Sequence, residues 1–255
     1  MKRAFRGTVL TVIMGAGLLF AGDRGTEIAR KYFDLKSPRN SSSKATMLLT
    51  KKNGSEKTRS LLMYGKKDKT GTFSFIEFES PADVKGTKLL SIPKKDGGSE
   101  QRIYLPALRK ARLIASSGKG GRFVGSDFYY YDMEDREFED FTYKFLREEK
   151  LEDKECQIIQ MTSRATDTPY SKAEAWVSKK DNFVYKMKLY DRKKGQHEKT
   201  MEVLEAETID GCIIPTKVLM TSVQKGTRTM LTLEDLKVNK GVDDKVFSIR
   251  NLESR

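Results

Sequence analysis

The amino-acid sequence predicts a mainly β protein: one large, curled antiparallel sheet of about eleven strands with few helices. Three observations carry that reading. Runs of strand length alternate apolar and polar side chains through most of the chain after residue 45. Lys, Gly, Asn and Asp separate those runs at hairpin spacing. A helical period is clear only at residues 26–38. With 37% hydrophobic residues the chain is too apolar to be wholly disordered.

The chain begins with Lys2, Arg3 and Arg6, then an uncharged apolar stretch over 7–22, with small Ala21 and Gly22 before Asp23. That is the three-part layout of a secretory signal peptide over residues 1–21. An uncleaved N-terminal anchor is the alternative, because a spanning helix needs roughly 20 residues. No cysteine follows the apolar run, so a lipoprotein anchor is not expected there. Residues 22–255 show no repeat or linker and read as a single exported, soluble domain. Its first element is a short helix in "TEIARKYFDLKSP", with Thr26 as cap, Ile28, Tyr32 and Leu35 on one face, and Pro38 as stop.

Strand-length runs follow: "ATMLLT" (45–50), "SLLMY" (60–64), "GTFSFIEFE" (71–79) and "TKLLSI" (87–92). "QRIYLP" and "KARLIAS" flank Pro106. The second half continues with "FTYKFL", "CQIIQM", "KAEAWVS", "FVYKMKLY", "KTMEVLEAE", "IIPTKVLMTS" and "RTMLTLEDLKV". In "FVYKMKLY" the alternation puts Phe183, Tyr185, Met187 and Leu189 on one face and Lys186 and Lys188 on the other. A closed barrel fills its interior with side chains, whereas an open one needs a lid or a ligand. The N-terminal helix and residues 107–140 are the only material to spare for a lid.

Charge and chemistry narrow the function. Removing Lys2, Arg3 and Arg6 with the signal, and no acid, lowers the net charge from +13 to +10. Such a surface is drawn to anionic headgroups or nucleic acid. The lysines fall in pairs at turns, however, with no basic stripe interleaved with aromatics, so no nucleic-acid partner is expected. The single histidine, His197, sits in a lysine-rich turn, which excludes a multi-histidine metal site or a His-dependent nucleophile. "SGKGG" (117–121) lacks the spacing and context of a phosphate loop. Asp127, Asp132, Glu134 and Asp135 could offer oxygens to a hard cation, but not at EF-hand spacing. No catalytic residue, metal or cofactor is predicted. Cys156 and Cys212 could form a disulfide after export if their Cα atoms come within roughly 7 Å; two buried free thiols are the alternative. The many methionines suit either a flexible apolar ligand or ordinary core.

Three motifs add a resemblance. "FESPADVKGTKLLSI" (78–92), "QRIYLPALRKARLI" (101–114) and "GRFVGSDFYYYDMED" (121–135), in that order, resemble the outer-membrane lipoprotein-sorting proteins of the LolA/LolB-like superfamily, in its larger LolA-like branch. The resemblance implies an open (half) β-barrel of about eleven antiparallel strands, also used by RseB, with helices in its mouth as a lid. It implies a monomeric periplasmic carrier of lipoprotein acyl chains or lipid, in transient contact with membranes. An inner-membrane transporter, with an RND-type exporter as one candidate, and an outer-membrane acceptor would be its partners. The candidate acyl-chain cavity residues are Leu48, Leu62, Phe73, Phe75, Leu89, Tyr104, Trp176, Phe183, Tyr185, Met187 and Leu189, each of which could instead be plain core. In the third motif, Gly125 and Ser126 would turn, Ser126 or Asp127 would cap a short helix, and Phe128, Tyr130 and Met133 would form the lid with the acids outside. Other readings of the same fold are an RseB-like envelope sensor and a structural envelope protein with no ligand.

Overall fold

The alternating runs all become strands of one sheet. The computed structural model describes residues 23–95 and 97–254; the expected signal peptide lies outside the described residues. Helix α1 (Arg24–Phe33) comes first, then β1 (Asn40–Thr50), β2 (Glu56–Asp68), β3 (Gly71–Ser80), β4 (Lys88–Pro93), β5 (Ser99–Leu105) and β6 (Lys110–Ile114). The second half supplies β7 (Phe141–Leu151), β8 (Lys154–Ser163), β9 (Tyr170–Ser178), β10 (Val184–Asp191), β11 (His197–Ile209), β12 (Cys212–Ser222) and β13 (Thr227–Val238). A short C-terminal helix, α2 (Ile249–Leu252), ends the described chain.

The strands lie in the order β6-β5-β4-β3-β2-β1-β13-β12-β11-β10-β9-β8-β7, all pairings antiparallel. Among the described residues the count is thirteen, not about eleven. The runs on either side of Pro106 pair as a hairpin, and Pro106 opens the single 3-10 turn between them, where its missing N–H costs nothing. Only β1–β13 joins strands distant in sequence. The sheet is open: β6 and β7, consecutive in the chain, are its two edges.

Their connection, residues 115–140, crosses one face of the sheet, here called the inner face. It forms no α-helix, contrary to expectation, but four 3-10 turns, at 116–118, 123–125, 130–133 and 138–140. The crossing also reveals the curl. Gln101 on β5 donates to the carbonyl of Tyr130, while Tyr170 on β9 donates to the carboxylate of Asp132. β5 and β9 stand second and eleventh in the strand order. At about 4.8 Å per strand a flat sheet would hold them roughly 43 Å apart. Residues 130 and 132 can span only about 7 Å of chain. The sheet therefore wraps around the segment.

Apolar side chains cover both faces over β3–β5. Inward, Ile76, Phe78, Leu89 and Ile103 join the main core with Met47, Leu61, Phe123, Phe128 and Met220. Outward, Phe75, Leu90 and Tyr104 are covered by Phe247 and Leu252 of the C-terminal segment. At the other end, α1 lays Ile28 and Ala29 on Ile159, Met161, Ala175 and Val177, on the inner face of β8 and β9. This helix begins three residues earlier than its sequence pattern suggests, at Arg24, with Asp23 rather than Thr26 in the cap position and Thr26 inside; Leu35 and Pro38 lie beyond its end. Early entry brings Gly25 against β7, where a Cβ would fall 2.9 Å from the Lys144 Cα and nearer still to the Phe145 nitrogen. Among the described residues no helix is long and apolar enough to cross a membrane.

The two cysteines do not pair. Cys156 on β8 and Cys212 on β12 are buried free thiols, four strand positions apart and so roughly 19 Å across the sheet. Burial raises the Cys156 thiol above its ordinary pKa.

Because backbone rather than a flexible side chain faces Gly25, a methyl there must push the helix off the strand. Gly25→Ala is expected to destabilise the protein by about 1–3 kcal/mol in urea unfolding, against the helix-propensity gain that Ala normally brings.

Candidate functional site

A chain segment lying on an apolar sheet face must satisfy its polar groups without water, and residues 115–140 do so through buried side chains of the sheet. Asp127 is the firmest point. Its two carboxylate oxygens accept from Thr227 (2.6 Å) and Thr229 (2.8 Å) on β13, and Arg122 adds a third donor at 3.1 Å. The Asp127 N–H donates back to Thr229 Oγ1 at 2.9 Å. Arg59 on β2 donates to the Val124 carbonyl, and Gln101 Nε2 to that of Tyr130 at 2.9 Å. Glu134 takes Lys119, Arg136 and Ser99. Val124 holds a left-handed conformation, φ 46°, where a β-branched residue is strained; Arg59 bonds its carbonyl.

Three of the four acids of "GRFVGSDFYYYDMED" are thus not left outside. Asp127, Asp132 and Glu134 are turned inward and partnered, and only Asp135 is exposed. Nor does Ser126 or Asp127 cap a helix; Ser126 is buried and Asp127 is the clamp on β13. Among the described residues no group of three or more His, Cys, Asp or Glu could hold a metal ion. The acids hold the segment down. Its rings fill the space beneath: Phe123 meets Phe78 at 5.5 Å and Tyr130 at 5.8 Å, and Tyr129 stacks on Tyr170 at 5.6 Å. Phe128 is buried in the main core, with Tyr130 and Met133 half-buried against it.

A cleft of about 670 Å³ opens between this segment, α1 and the inner face of β8–β12. Its walls are Tyr32, Phe33, Leu35, Phe128, Tyr131, Phe138, Met161, Tyr170, Phe183, Met187, Leu189, Met201 and Met220. Arg30, Lys36, Lys67, Arg136 and Lys172 alternate with acids around it. A neighbouring cleft of about 660 Å³ on the far side of the segment is lined by Lys69, Lys94, Lys95, Arg164 and other polar residues. Only the first has the apolar wall that an acyl chain requires.

The sequence candidates divide between the two faces. Phe183, Met187 and Leu189 line the cleft, and Leu89 lies in the inner core. Phe73, Phe75 and Tyr104 are on the opposite face under the C-terminal segment. Leu62 borders a shallow outer depression, and Leu48 is turned away from the inner Met47 and Leu49. Trp176 is outward too, buried with Cys156 and Ile158, its Nε1–H on Glu149 and Lys188 5.3 Å from its ring. Tyr185 leaves the expected face because the β9–β10 register shifts between Val184 and Lys186; its hydroxyl donates to Asp181 at 2.9 Å.

Sequence reasoning missed Lys199. It shares the face of Met201 on β11, and a lysine on an apolar parity was the available signal. Its side chain is 2% exposed, with Nζ 2.8 Å from the centre of the Tyr129 ring and 3.9 Å from Asp132 Oδ2. Burial lowers its pKa to about 8, partly offset by the Asp132 carboxylate, while burial raises that of Asp132. Tyr129, whose hydroxyl donates to Glu198, is raised, chiefly by burial.

A family model described as "-like: Uncharacterized protein" matches residues 70–254. An outer membrane lipoprotein-sorting protein domain from Vibrio parahaemolyticus is similar at a TM-score of 0.84 and 26% identity, over 90% of this chain and 98% of that one. The chain belongs to this LolA-like family. A DUF1329 family protein from Desulfovibrio piger, 28% identical, gives a TM-score of 0.83 over 89% of this chain and 97% of its own. A LolA superfamily protein from Nitrosomonas europaea shares the fold at a TM-score of 0.71 and 19% identity, over 89% and 98% of the two chains. No curated protein matches the chain by sequence.

Two outcomes follow for this LolA-like site. Asp127→Ala leaves Thr227, Thr229 and Arg122 facing an empty acceptor position; a loss of about 3 kcal/mol is expected, with faster tryptic cleavage at Lys119 and Arg122. Lys199 gives a pH signature. Folded, it releases its proton near pH 8, before the unfolded lysine near 10.5. Between those values the unfolded state binds more protons, so stability must rise with pH. Chemical denaturation from pH 7.5 to 9.5 should show a gain of about 1–2 kcal/mol that is absent in Lys199→Met.

Proposed function

We propose that the mature chain, residues 22–255 after loss of a signal peptide over 1–21, is a single-domain periplasmic carrier of lipoprotein or lipid acyl chains. It would load from an inner-membrane transporter, an RND-type exporter being one candidate, and unload at an outer-membrane acceptor. The observation that carries this reading is the apolar cleft beside the 115–140 segment, with flexible Met161, Met187, Met201 and Met220 in its wall. Thioether side chains adapt to the changing shape of an acyl chain. Ten buried methylenes at about 0.8 kcal/mol each would give about 8 kcal/mol, near micromolar affinity before ordering costs. Release then needs only movement of the covering segment, with no covalent step. Family membership supports a binding role, and the charged rim suits brief contact with headgroups.

Native mass spectrometry of mature protein purified from its own envelope, with lipid extraction alongside, tests the proposal. A reproducible adduct with the mass of a phospholipid or an acylated peptide is expected. Protein that remains bare when offered both lipids and lipopeptides overturns it.

A further inference from the structure

One cation under the covering segment has no hydrogen-bonding partner. Lys199 Nζ is buried and makes no hydrogen bond among the described residues. Its surroundings come largely from the segment itself: the Tyr129 ring beneath it and the Asp132 carboxylate 3.9 Å away. That carboxylate oxygen already accepts the Tyr129 N–H at 2.7 Å and the Tyr170 hydroxyl at 3.2 Å. None of the three ammonium donors thus reaches an oxygen acceptor, although the charge rests on the Tyr129 ring, in a place where a methionine would seal the core at lower cost.

The position of the lysine suggests what would use them. Lys199 pairs across β11–β12 with Ser222, and Met201 with Met220, so the ammonium stands at one end of the methionine wall. Asp132 and Tyr170 line the cleft and separate it from Lys199. An acyl chain lying along Met201 and Met220 would place its head against Asp132. An anion entering there would replace one carboxylate by another group of the same charge, with Lys199 donors free to bind it. Glu198, whose Oε2 also lacks a partner, stays bound through Oε1 to Tyr129.

We propose that Lys199 anchors the anionic head of an acyl ligand, a phosphodiester or a carboxylate, and that Asp132 occupies the place of that head until the ligand displaces it. The inference rests on the carrier reading and sharpens it: ligands with a charged head are preferred over neutral acylglycerols of the same chain length.

The test uses delipidated mature protein and displacement of a neutral fluorescent acyl probe by three monoacyl ligands: palmitoyl lysophosphatidylglycerol, palmitate and monopalmitoylglycerol. The two anions should bind about tenfold or more tighter than the neutral ligand, and a difference between them tells phosphate from carboxylate. In Lys199→Met the three affinities should converge. Asp132→Asn, which removes the competing internal charge, should tighten both anions by about threefold or more, an effect that mere loss of structure would not produce. Equal binding of charged and neutral ligands by the native protein, a preference that survives Lys199→Met, or no gain in Asp132→Asn overturns the inference and leaves the carrier reading standing. Should Lys199→Met fail to fold, Lys199→Gln and Asp132→Asn decide by the same criteria. If neither the probe nor any ligand binds, the carrier reading falls and this inference with it.

Discussion

The two edge strands of the sheet are neighbours in sequence, so the chain between them has to travel from one edge to the other. It takes the short way, across the inner face, and much else follows from that route. Backbone amides laid on a hydrophobic surface lose their water and must find partners. Arg59 of β2, Gln101 of β5 and Thr229 of β13 pair with its backbone, while Tyr170 of β9 and Thr227 of β13 bond its carboxylates. Strands far apart in the order thereby share a few residues of one segment, which fixes the curl of the sheet.

The same route explains why Asp127, Asp132 and Lys199 are taken out of water. Asp127 is fully provided with donors and behaves as a fixed clamp. The Asp132–Lys199 pair is not: its lysine is desolvated, its acid shared with a tyrosine and an amide. Pairs of this kind contribute little net stability, because desolvation offsets their attraction. The segment is therefore clamped through a fully partnered carboxylate at Asp127 and through a desolvated pair at Asp132, next to the cleft.

Strand positions were legible in the sequence because period-two alternation and Lys/Gly/Asp turns are local signals. Each of the quoted runs lies in a strand, including the pair around Pro106. The face each residue takes was not legible over β1–β5, where "FSFIEF" is apolar on both parities since the C-terminal segment covers one side and the core the other. In β10 a single register shift sent Tyr185 away from Met187. Asp127 and Asp132 of the third motif were visible but not their direction, since their partners, Thr227, Thr229 and Lys199, lie some 67 to 102 residues further on. The absence of a Cys156–Cys212 bridge depended on strand order, which composition does not encode.

The strand order also divides the molecule in an unexpected place. Every ladder but one joins consecutive strands, so most of the sheet is local zippering, and β1–β13 alone closes a long loop. Each half, β1–β6 and β7–β13, is a meander of consecutive strands, and the covering segment is the covalent thread between them. Severed at that thread, the chain would become two complementary fragments that share a single seam of ladder bonds at β1–β13. The segment that covers the inner face is thus also the point of the architecture at which the polypeptide could be split and reassembled.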